Sequence, residues 1–182
     1  HGGRTAVPNY EKLFRVGLNG IIEEAKDRLK EISSDLIYTN AKEYLKQKQF
    51  LEAVVIALEA GVRHEVMTWE QAREIAVKES DTARRQELEE IAQVWDWVPG
   101  NPPRTFHEAL QCYYFITLIY RVIDLQAPGL GERFDQILYP FYKKDKEEGR
   151  IARERAEDLV AFMFLKMNEF GDLTPPAQGA SS

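Results

Sequence analysis

Apolar residues recur at helical spacing in one stretch of the chain after another, and clusters of proline, glycine, serine and aspartate separate the stretches. Behind Pro8-Asn9, the positions Leu13, Phe14, Leu18, Ile21, Ile22, Ala25, Leu29 and Ile32 predict an amphipathic helix from near Tyr10, with Glu11 in its first turn. Gly17 and Gly20 fall inside that helix, where each costs about 1 kcal/mol against alanine, so both are expected where another backbone approaches closely.

A break at Ser33-Ser34-Asp35 is followed by one long helix or two between Asn40 and Lys78, with an apolar patch at Val54, Val55, Ala57 and Leu58. Asp81 is placed to cap a third helix running through Leu88, Ile91, Ala92 and Trp95, which Pro99 ends. Gly100, Asn101, Pro102 and Pro103 make a stiff connector, because consecutive prolines exclude helix. Thr105 and Glu108 then have the spacing of a capping box.

From Ala109 to Ile123 the next helix is apolar on nearly every side, so it is expected to be buried all round, its outer face against protein outside this stretch. Pro128, Gly129 and Gly131 mark a loop. Tyr139-Pro140-Phe141-Tyr142 reads as another break, and Lys143 to Glu148 as a charged turn. A final helix is expected over Ile151 to Glu169, with Leu159, Val160, Phe162, Met163 and Leu165 facing inward. Its start has Ala152 and Arg155 where a capping pair would sit.

The pattern is therefore mainly α, and 182 residues suit one domain over 1–182 that buries roughly 70% of its unfolded surface. A formal charge of −6 and a pI near 5.2 speak against a nucleic-acid partner, whose affinity draws on clustered lysine and arginine. The apolar stretch at Tyr113 to Tyr120 falls far short of the ~20 residues that span a bilayer. Cys112 is the only cysteine, so it forms no internal disulfide, and in mid-helix it reads as a small buried apolar residue. His64 and His107 lack partners at metal-ligand spacing; Glu87, Glu89 and Glu90 read as a solvated face, and Arg133 and Asp135 as a local ion pair. The first residue is His1, a tag could supply His1-Gly2-Gly3, and both ends read as cuts.

Two blocks are more specific than any periodicity. Trp97-Val98-Pro99-Gly100-Asn101-Pro102-Pro103-Arg104-Thr105-Phe106-His107-Glu108-Ala109-Leu110-Gln111 resembles the "W-V-P-x-N-P-P-R-T-F-x-E-A-L-Q" signature of the glycyl radical enzymes of pyruvate formate-lyase type. Gly131-Glu132-Arg133-Phe134-Asp135-Gln136-Ile137-Leu138-Tyr139-Pro140-Phe141-Tyr142-Lys143-Lys144-Asp145 is similar to that family's "G-R-F-D-Q-x-L-Y-P-F-Y-K-K-D". The opening Arg4-Thr5-Ala6-Val7-Pro8-Asn9-Tyr10-Glu11-Lys12 looks like a looser form of "G-H-T-x-P-D-Y-E-K".

The resemblance implies a helical outer portion of an α/β barrel in which a glycyl radical oxidises a loop cysteine to a thiyl that abstracts hydrogen from substrate. Neither the family's G-C-x-E-P cysteine loop nor its R-V-x-G-Y glycine motif occurs in these residues, so no catalytic residue is assigned to them. By the same resemblance the radical is installed by a radical-SAM activating enzyme, no cofactor or metal is bound here, and the parent protein is a cytoplasmic, anaerobic lyase, decarboxylase or C–C bond-forming synthase, commonly a homodimer. Its substrate is expected to be small and anionic or aromatic. Arg4 takes the position of the family's pocket histidine, and Ala127-Pro128 that of a substrate-binding His-Ser pair, with Asp124 and Gln126 the nearest polar groups. The substrate wall is therefore expected to involve Arg4, Asp124, Gln126, Ala127 and Pro128. The rival expectation is a helical scaffold or interaction module without activity.

Overall fold

The computed structural model describes residues 8–32, 35–124 and 133–168. Among them there are six helices and no strand: α1 (Tyr10–Glu31), α2 (Asp35–Lys78), α3 (Thr82–Trp95), α4 (Phe106–Asp124), α5 (Phe134–Glu147) and α6 (Arg153–Asn168). The chain divides into two compact units, residues 12–102 and residues 103–182 together with 1–11.

Helix α1 starts at Tyr10 as its pattern predicts, and in the unit of residues 12–102 its Leu13, Phe14, Leu18, Ile22 and Ala25 are buried. It is not one straight helix. Gly17 has φ 67 and ψ 176, so the chain leaves the helix there and re-enters it at Leu18. A Cβ at Gly17 would lie against the carbonyl oxygen of Gly100 and 2.7 Å from the α-carbon of Asn101, which is the close backbone approach expected. Gly20 differs from that expectation. Its crowding neighbour is the Val16 side chain on the preceding turn, 2.7 Å from where a Cβ would sit, because the kink brings Val16 over it.

Helix α2 runs 44 residues and leaves helical geometry only at Asn40, with φ −153 and ψ 74. The patch at Val54, Val55 and Leu58 is half-buried and Ala57 exposed; among the described side chains of α2, Ala72 and Ala76 are buried. Helix α2 packs along α3, whose buried residues are Leu88, Ala92 and Trp95. Asp81 caps α3 as expected, its carboxylate accepting from the Ala83 and Arg84 amides at 2.8 and 3.2 Å.

In the other unit, α4 packs against both α5 and α6. Ala109, Leu110, Cys112, Tyr113, Phe115, Ile116 and Thr117 are buried, while Tyr114, Leu118 and Ile119 keep partial exposure. Over residues 109–119 the helix is thus mostly buried, though not on every side as expected. Tyr10 stacks on Tyr113 with ring centroids 4.7 Å apart.

Three sequence readings fail in this unit. Helix α5 continues straight through Pro140, and the charged run from Lys143 forms its last turns rather than a loop. The hydrogen bond that Pro140 cannot donate would have gone to Gln136, and both residues are exposed, so water can replace it. Leu138 and Tyr142, on either side, are held by packing, Tyr142 edge-on to Phe106 at 5.6 Å. In α6 the buried stripe is Ala156, Leu159, Met163 and Met167; Phe162 and Leu165, expected inside, are 58% and 64% exposed. Lastly, Arg133 and Asp135 form no ion pair with each other among the described residues: Arg133, at φ 55, sits in the left-handed region immediately before α5.

Candidate functional site

The first signature block folds into a buckle. The Val98-Pro99 peptide is cis and Val98 is wholly buried. The Trp97 indole N–H donates to the Pro102 carbonyl at 2.7 Å, and the Asn101 side-chain amide donates to the Trp97 carbonyl at 3.0 Å. Two carbonyls of the buckle then serve α1. Pro99 O accepts from the Leu18 amide at 2.9 Å and Gly100 O from the Asn19 amide at 3.0 Å, so two of the orphan amides of the helix that restarts after Gly17 are satisfied.

At the start of α4 the capping box is half formed. Thr105 Oγ1 accepts from the Glu108 amide at 3.2 Å, as the spacing predicts. Glu108 does not reach back to Thr105, however. Its carboxylate accepts from the Arg104 amide at 2.6 Å and from the Arg104 guanidinium. Glu108 is buried and Arg104 half-exposed, and this hydrogen bond raises the guanidinium pKa above its ordinary value.

The connection that sequence reasoning missed is Asp145. It is 3% exposed, and its two carboxylate oxygens join three pieces of chain. Oδ2 accepts from the Phe106 amide at 2.7 Å, 39 residues away, and so caps α4. Oδ1 accepts from Arg150 Nε at 2.9 Å and Nη2 at 2.7 Å, which ties in the turn between α5 and α6. Asp145 is the final letter of the second block and Phe106 lies in the first, so the two blocks meet through this carboxylate. Its place as the last position of a long motif was the one available signal.

None of the expected wall residues can be assembled into a site. Arg4, Gln126, Ala127 and Pro128 lie outside the described residues; Asp124 is the last residue of α4, and its side chain is likewise outside them, as is that of His64. Cys112 is buried at 1% exposure and Glu87, Glu89 and Glu90 are exposed, as expected. Among the described residues no cluster of three histidine, cysteine or acidic side chains is set to hold a metal. No helix of the described residues is long and apolar enough to cross a membrane. A groove of 650 Å³ lies along α5 and α6, lined by Phe134, Leu138, Tyr139, Val160 and Phe164, with Arg153 and Glu157 paired at 2.7 Å on its rim.

Within each unit the signature residues bond to one another, and chains like this one recur in known proteins. Residues 1–181 match the family described as pyruvate formate lyase-like, and the chain belongs to it. Its relatives are glycyl radical enzymes. Isethionate sulfite-lyase of Nitratidesulfovibrio vulgaris is 36% identical over 176 residues, 96% of this chain and 21% of that protein. Trans-4-hydroxy-L-proline dehydratase of Clostridioides difficile is 33% identical over 93% of this chain and 21% of its own length. Among solved structures, the glycerol-bound B12-independent glycerol dehydratase of Clostridium butyricum superposes with a TM-score of 0.78 at 35% identity, covering 92% of this chain and 20% of that one. The chain thus spans about a fifth of the length of the curated relatives it matches.

Proposed function

We propose that this chain is the helical outer segment of a glycyl radical lyase that eliminates a group from a small anionic substrate, and that it has no activity by itself. The observation that carries the reading is its 36% identity to an isethionate sulfite-lyase across 96% of its length. In this reading the loop cysteine and the radical glycine lie elsewhere in the parent polypeptide, in the four-fifths of a relative's length that this chain does not span. The thiol of that cysteine gives its hydrogen to the glycyl radical, and the resulting thiyl takes hydrogen from substrate.

Within that parent, Arg4 and the segment Asp124, Gln126, Ala127 and Pro128 form part of the substrate wall. Relatives named for isethionate and for sulfopropanediol act on sulfonates, and a guanidinium fork suits such a group because it keeps its charge when desolvated and can bind two oxygens at once. The side chains of Ala127 and Pro128 offer no hydrogen bond, which disfavours a polyol substrate. The radical is installed by a radical-SAM activating enzyme, and the parent works in the anaerobic cytoplasm as a homodimer.

The test is to produce the natural full-length protein with its activating enzyme under anaerobic conditions, record its electron paramagnetic resonance spectrum and assay sulfite release from isethionate. A glycyl radical signal with turnover of a sulfonate is expected, and Arg4→Ala should raise KM. A natural gene that encodes this stretch alone, with no cysteine loop, would overturn the reading in favour of an inactive scaffold.

A further inference from the structure

We draw no further inference here: the strongest candidate, the apolar groove along α5 and α6 lined by Phe134, Leu138, Tyr139, Val160 and Phe164, carries none because nothing in the structure shows what covers it.

Discussion

Replacing Gly17 by alanine should be among the most damaging single changes available to this chain. The residue sits at φ 67 and ψ 176, a backbone conformation essentially confined to glycine, where a Cβ costs on the order of 1–3 kcal/mol. A Cβ there also strikes the Gly100 carbonyl and lies 2.7 Å from Asn101 Cα, backbone atoms that cannot rotate away as a side chain can. Relief requires the buckle to retreat, which lengthens the Leu18 to Pro99 and Asn19 to Gly100 hydrogen bonds, each contributing about 1 kcal/mol. With the overpacking term, the expected loss is about 4 kcal/mol, a large fraction of the 5–15 kcal/mol by which domains are stable. Gly149 supplies the control, because it has φ 70 and nothing within 4 Å of an added Cβ. Gly149→Ala should therefore show the backbone strain alone, about 1–2 kcal/mol. Urea unfolding of the two variants compares them directly, and equal midpoints would refute the claim that contact with the buckle is what demands glycine at position 17.

Arg104→Ala takes the guanidinium from the buried Glu108 carboxylate and leaves it the backbone amide of residue 104, and should lower stability by about 2 kcal/mol in thermal unfolding. A melting temperature equal to wild type would show that Glu108 does not depend on the guanidinium. The Glu24 carboxyl is held below its ordinary pKa by the hydrogen bond from Lys12 at 2.6 Å. A lowered carboxylate pKa stabilises the fold above the usual carboxylate range and ceases to do so as pH falls through the lowered value. Lys12→Gln should return the Glu24 titration, followed by NMR, towards the ordinary value, and since the pair is solvent-exposed, salt should shrink the effect. Cys112, at 1% exposure, should react with a thiol reagent only after denaturant is added; rapid labelling of the native protein would contradict its burial in α4.

Much of this was legible before any coordinates, and for a definite reason. The start of α1 at Tyr10, the Asp81 cap, the Thr105 half of the capping box and the burial of α4 all follow from interactions spanning four residues or fewer, or from composition around a single helix. The signature blocks carried the family assignment for a similar reason, since unusual residues in a fixed order remain visible without knowledge of their contacts. The candidate wall was legible only as a resemblance, because nothing in the local chemistry of Arg4 or Gln126 distinguishes a pocket residue from a surface one.

Tertiary structure alone decided the rest. A proline inside α5 is a break by local rules and continues as helix because exposure at Gln136 and Pro140 lets water take the missing bond while packing holds the flanking turns. Which face of α6 is buried depends on where α4 lies, so Phe162 and Leu165 stay outside although they are as apolar as Leu159 and Met163. Gly17 needed the buckle's backbone, 83 positions later at Gly100, before its role could be assigned. Asp145 is one acidic residue in a charged run until the fold brings it to Phe106, 39 residues back along the chain. Sequence pattern records what a residue prefers among its immediate neighbours; the partner that satisfies a buried carboxylate or forbids a Cβ is chosen by chain-distant packing, which no local pattern encodes.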